Sequence, residues 1–117
     1  MLEKDLQKLM MDWLNLQPDT QIWRQNTGAS SYVFRGKRRL VRFGVRGQSD
    51  LVGLTAGGRF LAVEVKRKRG KLTIDQSEYL NTVRRYGGIG LCVRILEELK
   101  DQLKAEIELT SPNERNK

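Results

Sequence analysis

The sequence predicts a single α/β domain. Segments with apolar residues at helical spacing alternate with short apolar runs bounded by glycine and polar residues, which are typical of strands. A length of 117 residues is enough for one domain with a small hydrophobic core. We therefore expect helices and strands that share one core.

Residues 2–16 predict the first helix, with an apolar stripe formed by Leu2, Leu6, Leu9, Met10 and Trp13. Glu3 lies at the edge of this stripe, between the directions of Met10 and Leu14, so its carboxylate can lean over the interior. The simpler interpretation is that the helix dipole favours an acidic residue in the first turn. The residues alone favour this simpler interpretation.

After Pro18, residues 21–26 predict a short strand with Trp23 in the core, and residues 26–31 predict a polar loop. Residues 32–43 predict a strand or hairpin that turns at Gly36. Basic side chains are dense along it, namely Arg38, Arg39 and Arg42. Such arginines suit bidentate phosphate contacts, although they also keep an edge strand from pairing with other molecules.

The central feature is a predicted hairpin of residues 49–54 and 59–66, joined by a turn at residues 55–58. Because side chains alternate along a strand, the predicted register sets Asp50 opposite Glu64, Val52 opposite Ala62 and Leu54 opposite Phe60. Lys66 shares the sheet face of Glu64. The open end of the hairpin is therefore a polar cluster.

Two carboxylates about 5 Å apart repel each other unless a proton or a cation lies between them. Asp50 and Glu64 offer the hard oxygen ligands that Mg²⁺ prefers, and water and phosphate oxygens can complete its coordination. The alternative is that Asp50 simply ends a strand and that Glu64 and Lys66 belong to a solvated face. Taken alone, the pattern E-x-K is common enough to favour that alternative.

Charge is unevenly distributed along the chain. The net charge is +8, whereas residues 35–71 contain twelve basic and two acidic side chains, a local net of +10. The two acidic residues are Asp50 and Glu64. This pattern predicts a surface that binds a polyanion such as a nucleic acid backbone, with a reactive centre inside it. The predicted contacts to DNA are Arg38, Arg39, Arg42, Arg46, Arg67, Lys68, Arg69 and Lys71. If these basic residues served only solubility, the absence of other acidic residues from residues 35–71 would be unexplained.

The remaining chain predicts a helix that begins at Thr73, where Gln76 completes a capping box, and that ends before Gly87 and Gly88. Residues 89–94 predict a buried strand, and residues 96–109 predict an amphipathic helix. We expect one domain over residues 1–109 and a disordered tail over residues 110–117.

Cysteine and histidine usage excludes two kinds of site. Cys92 is the single cysteine and there is no histidine, so neither an intrachain disulfide nor a Cys/His zinc site is expected. No apolar run is long enough to span a membrane, and the N-terminus lacks a signal-peptide pattern. We expect no membrane partner and a cytoplasmic location.

The order of these motifs resembles the PD-(D/E)xK nucleases, and within them the small VRR-NUC domain, the virus-type replication-repair nuclease. The resemblance covers residues 2–99. It consists of the helical Glu3 and the segments NTGAS, VRFGVRGQSDLVG, GGRFLAVEVK, GKLTIDQ and GGIGLCVR. The proline that nominally precedes the first aspartate in the family is Ser49 here.

The resemblance implies a restriction-endonuclease-like fold, a mixed sheet flanked by helices in the order αβββαβ with additions. It implies Mg²⁺-dependent phosphodiester hydrolysis, with Mn²⁺ as a substitute. The implied metal ligands are Asp50, Glu64, the backbone carbonyl of Val65 and Glu3, the last directly or through water. Lys66 would position or deprotonate the attacking water, and Gln76 would orient a ligand or that water.

We expect a structure-specific DNA endonuclease of repair or recombination. Stand-alone domains of this size resemble, as a group, the four-way-junction resolvases of bacterial viruses, so we expect a homodimeric Holliday junction resolvase. A phage-encoded protein would act in the cytoplasm of the bacterial host. We expect no second domain to recognise a flap or an end, and the apolar faces of the first and last helices either form the dimer interface or cover the sheet. The alternatives are a flap- or end-directed repair nuclease and a noncatalytic nucleic-acid-binding module.

Overall fold

The computed structural model describes residues 2–25, 28–43 and 47–109, and of residues 28–32, 34 and 39–43 it describes the backbone. In chain order the elements are α1 (Glu3–Asn15), β1 (Gln21–Arg24), β2 (Gly28–Phe34), β3 (Lys37–Phe43), β4 (Leu51–Thr55), β5 (Arg59–Val65), α2 (Ile74–Arg85), β6 (Ile89–Val93) and α3 (Leu96–Leu109). A short 3₁₀ turn, Ala56–Gly58, joins β4 to β5. The predicted tail, residues 110–117, lies outside the described residues.

The main sheet has four strands in the order β1-β4-β5-β6. Strands β1, β4 and β5 pair antiparallel, whereas β6 lies parallel to β5, so the sheet is mixed as expected. In the central hairpin Val52 pairs with Ala62 and Leu54 with Phe60. These two pairs confirm the register that the sequence predicted.

Helices cover both faces of this sheet. Helices α1 and α3 pack on one face through Met10, Leu14, Leu99 and Leu103, which are buried with Val63. Helix α2 packs on the other face, where Leu80 and Val83 lie against Val52 and Ala62. These buried residues of the first and last helices therefore cover the sheet, which is one of the two uses that the sequence left open. None of the described helices is long and apolar enough to cross a membrane.

Strands β2 and β3 form a separate two-stranded hairpin. Its turn contains Arg35 and Gly36, both with positive φ. The turn at Gly36 is the one that the sequence predicted. The predicted polar loop over residues 26–31 is wrong from residue 28 onward, because Gly28–Phe34 pairs along its whole length with Lys37–Phe43. Pairing with the neighbouring strand outweighs the weak strand preference of glycine and serine.

The prediction that Trp23 lies in the core is also wrong, because its side chain is 41% exposed. Its neighbour Ile22 is buried under α1 and α3, so Trp23 points to the opposite face of β1. Helix α2 packs on β5 and β6 on that face, whereas β1 lies at the sheet edge. On this face of the edge strand β1, Trp23 is therefore not covered by a helix.

Candidate active site

The two predicted carboxylates meet at the end of the sheet where β4 begins and β5 ends. Asp50 directly precedes β4, and its backbone carbonyl accepts a hydrogen bond from Gln25 N at 2.7 Å. Leu51 pairs with Val63, so one further step in the same register brings Asp50 opposite Glu64. The Asp50 charge acts on Glu64, which agrees with the two carboxylates lying near one another.

Glu64 is the most constrained charged residue of this site. It is 1% exposed, and its Oε1 accepts a hydrogen bond from Gln76 Nε2 at 3.1 Å. Lys66 Nζ lies 3.5 Å from the same oxygen. The other oxygen, Oε2, is buried and has no hydrogen-bond partner in the described part of the chain. A buried anionic oxygen without a partner is costly unless a proton or a cation satisfies it.

Electrostatics at Glu64 agree with this geometry. The pKa of Glu64 is raised from 4.5 to about 7, mainly by burial and next by the neighbouring Asp50 charge. Lys66 opposes both effects through its charge and its hydrogen bond, and Glu3 adds a smaller upward contribution to the pKa. Burial and the Asp50 charge thus favour the protonated form of Glu64, whereas Lys66 favours the ionised form.

Asp50, like Glu64, accepts a hydrogen bond from a glutamine side chain, and the sequence interpretation missed this glutamine. Gln7 Nε2 on α1 donates a hydrogen bond to Asp50 Oδ2 at 2.8 Å. Each carboxylate thus has one oxygen bound by a glutamine amide, and the two amides come from different helices. The signal in the sequence is that Gln7 is polar although it lies on the helix face of the buried Met10 and Leu14.

Gln76 takes part in two sets of hydrogen bonds, the capping box of α2 and a contact to Glu64. Its Oε1 accepts a hydrogen bond from Thr73 N at 2.9 Å, and the Thr73 hydroxyl accepts one from Gln76 N at 3.1 Å, which completes the capping box of α2. Its Nε2 is the donor to Glu64. One side chain therefore ties the start of α2 to the buried carboxylate.

The donor set fits a divalent cation. The Asp50 charge acts on Glu64, and Glu64 Oε2 lacks a partner among the described groups. Hard carboxylate oxygens with room for water and phosphate are what Mg²⁺ requires. Among residues 2–25, 28–43 and 47–109, no three Asp, Glu, Cys or His side chains lie close enough together to hold a metal.

A comparison with protein-family models matches residues 2–94 to the VRR-NUC domain. The chain belongs to the VRR-NUC family. VRR-NUC is a PD-(D/E)xK nuclease-like domain, which agrees with the observed mixed sheet and flanking helices. The family implies a nuclease whose substrate is DNA, and domains of this type generally use divalent metals. No curated protein matches the chain in a sequence comparison.

This VRR-NUC domain has a basic cavity of about 560 Å³ beside Lys66, the lysine that contacts Glu64. It is lined by Glu3 and residues 66–71. Arg94 Nη2 donates to the carbonyl of Gly70 at 2.7 Å, and Gly70 N donates to the carbonyl of Arg67 at 2.8 Å, so the loop has a fixed turn. The sequence interpretation gave Arg94 no role.

The other predicted DNA contacts are described to different extents. Arg67, Lys68, Arg69 and Lys71 are exposed around the cavity, and Arg38 is exposed on β3. Arg39 and Arg42 lie on β3, but their side chains are outside the described part, and Arg46 lies outside the described residues. Their predicted contacts stay predictions.

Proposed function

We propose that the protein is a divalent-metal-dependent endodeoxyribonuclease that hydrolyses phosphodiester bonds in branched DNA. The observation that carries this proposal is the carboxylate pair in which each member has one oxygen bound by a glutamine amide. Glu64 Oε2 has no partner in the described structure, while Lys66 Nζ lies 3.5 Å from the other oxygen, Oε1. A binding module without chemistry would not need a buried, unsatisfied carboxylate.

In this proposal Asp50, Glu64 and the backbone carbonyl of Val65 hold Mg²⁺ or Mn²⁺. Such a cation, when bound, stabilises charge on the phosphate oxygens and lowers the pKa of water. Lys66 positions the attacking water and stabilises the negative charge that develops on the phosphate. Gln76 fixes the orientation of Glu64, and Glu3 acts through water from the first turn of α1.

Backbone charge supplies the affinity for DNA. The exposed basic residues around the cavity and along β3 bind phosphates, which gives binding without base contacts. This favours recognition of DNA shape over sequence.

Within this class we propose a Holliday junction resolvase that acts as a homodimer. A four-way junction has two strands of like polarity that must be cut symmetrically. A C₂ dimer matches that symmetry, because one isologous interface places two equivalent sites on opposite strands. This step rests on the resemblance to viral junction resolvases and on symmetry.

Purified protein should be tested on labelled duplex, flap, splayed and four-way DNA with Mg²⁺, Mn²⁺ or EDTA. The proposal expects paired nicks in the four-way junction with either metal and none with EDTA. Faster cleavage of flaps or ends would favour a repair nuclease, and binding without cleavage under every condition would favour a noncatalytic module. Glu64→Gln is the matched inactive control.

A further inference from the structure

Helix α1 carries two polar residues on the face that it turns toward the protein interior. At about 100° per residue, Glu3, Gln7, Met10 and Leu14 fall within an arc of about 60°. Met10 and Leu14 are fully buried. Gln7 therefore stands at a position where the helix pattern calls for an apolar residue, and such a departure needs a polar partner.

That partner is Asp50, which is 43 residues away in the sequence. The Gln7 amide donates to Asp50 Oδ2 over 2.8 Å in a partly buried contact. The Asp50 backbone is fixed separately by its hydrogen bond from Gln25. The backbone contact sets where the residue lies, whereas the Gln7 contact sets the rotation of its carboxylate.

The chemistry of an amide suits this task. A lysine or arginine at the same place would hold the carboxylate but would also neutralise it, and a cation would then bind less well. A glutamine donates one hydrogen bond and adds no charge, so Asp50 keeps its attraction for a metal. Gln76 does the same for Glu64 from the other side. Neutral donors that orient a ligand are a common feature of metal sites.

We propose that Gln7 is a positioning residue that turns the Asp50 carboxylate so that Oδ1 faces the cation shared with Glu64. The proposal rests on the proposed metal-dependent function. Gln7 contacts neither the metal nor the DNA, and its effect on cleavage passes through Asp50.

The test compares Gln7→Met with Gln17→Met. Gln17 is a half-buried glutamine that donates to the Trp13 carbonyl near the end of α1, away from the carboxylates, so the control makes the same chemical change without the Asp50 contact. Binding of Mn²⁺ to the free protein is measured by electron paramagnetic resonance. Cleavage of a four-way junction is followed as a function of Mg²⁺ concentration. DNA affinity is measured in EDTA.

The expected result for Gln7→Met is Mn²⁺ binding that is weaker by about tenfold or more. The Mg²⁺ concentration for half-maximal cleavage should rise in parallel, and saturating Mg²⁺ should restore most of the rate. DNA affinity in EDTA should not change, and Gln17→Met should behave as wild type in all three measurements.

Gln7→Asn separates positioning from a simple need for polarity, because its amide is one methylene too short to reach Asp50. It should weaken Mn²⁺ binding as Gln7→Met does, and thermal unfolding should verify that both variants fold. Wild-type Mn²⁺ affinity in folded Gln7→Met would overturn the inference while leaving the proposed function intact. If the wild type itself bound no Mn²⁺ and cut nothing, the proposed function would fail first.

Discussion

Gln76 Nε2 lies 3.1 Å from Glu64 Oε1, while the Oε1 of the same Gln76 side chain accepts the Thr73 N–H that starts helix α2. Helix capping and orientation of a buried carboxylate are thus joined in one residue. The two roles can be separated by mutation, because Thr73 takes part in the cap alone.

Thr73→Ala and Gln76→Ala should each lower the free energy of unfolding by about 1 kcal/mol, because each removes half of the capping box. Gln76→Ala should also reduce the cleavage rate by about tenfold or more, since Glu64 loses its orienting donor. Thermal unfolding and single-turnover cleavage measure the two effects. Equal loss of activity in both variants would mean that Gln76 acts only through helix stability.

Glu64→Gln and Lys66→Ala should each reduce cleavage by at least about 100-fold and leave DNA binding nearly unchanged. Glu64 supplies a ligand oxygen and Lys66 supplies charge at the phosphate, whereas the affinity comes from the basic surface. Mobility-shift titration in EDTA gives the binding and product analysis gives the rate. A wild-type rate in either variant would show that the site is assigned to the wrong residues.

The stability of the metal-free protein should fall as the pH rises from about 4.5 to about 7. Burial and the Asp50 charge raise the pKa of Glu64 from 4.5 to about 7, so in this window the unfolded chain releases the proton first. At about 1.4 kcal/mol for each pH unit between the two pKa values, the loss is about 3 kcal/mol. Below about pH 4.5 the stabilisation by protonated Glu64 is fully present, and above about pH 7 this stabilisation is lost.

Glu64→Gln should remove this dependence, so in EDTA the variant should be the more stable protein at pH 8. The exposed Glu78→Gln on α2 is the control and should follow the wild type. Mg²⁺ should raise the melting temperature of the wild type more at pH 8 than at pH 5, because only the ionised carboxylate binds it. Parallel stability curves for wild type and Glu64→Gln would contradict the raised pKa.

Removal of the charges of Arg67, Lys68 and Arg69 should weaken DNA binding across all sequences and reduce its salt dependence. These residues surround the cavity beside the carboxylates. The slope of log K against log salt should decrease by about 1 for each phosphate contact that is lost. As a control, the charges of the exposed Arg85 on α2 and Lys104 on α3 are removed. The change in slope for each charge removed is then compared between the two variants. An unchanged slope would show that the loop faces away from DNA.

The sequence predicted most of the fold because local patterns and their pairing agree in the central hairpin. Period-two alternation and a glycine-rich turn fix its register, and the uneven charge along the chain then singles out Asp50 and Glu64. The alternation could not tell that Trp23 stands on an edge strand beyond the reach of α2. Which strand lies at an edge depends on the order of strands in space.

Gln7 and Arg94 were missed for a related reason. Their partners, Asp50 and the Gly70 carbonyl, are 43 and 24 residues away, and no local rule connects them. The sequence nevertheless contained a signal for Gln7, because it is a polar residue on the inward face of an amphipathic helix. Glu3 is a second polar residue on that face. In this chain, polar residues on an apolar helix face mark where the helix meets the site.

The remaining prediction concerns assembly and substrate together. A resolvase must cut two strands of like polarity in a two-fold symmetric junction, and one domain holds one pair of carboxylates, so two copies are needed for paired nicks. Light scattering should give a protein mass of twice the 13.5 kDa chain, either for the free protein or, after the DNA mass is subtracted, for the complex with a four-way junction. Mixed dimers of wild type and Glu64→Gln should nick one strand of each junction, whereas wild-type dimers should cut both within one binding event. A supercoiled cruciform plasmid measures this, because single nicks give open circles and paired nicks give linear DNA. A monomer on junction DNA, or flap cleavage much faster than paired nicking, would rule out the resolvase and leave the metal-dependent nuclease site as it stands.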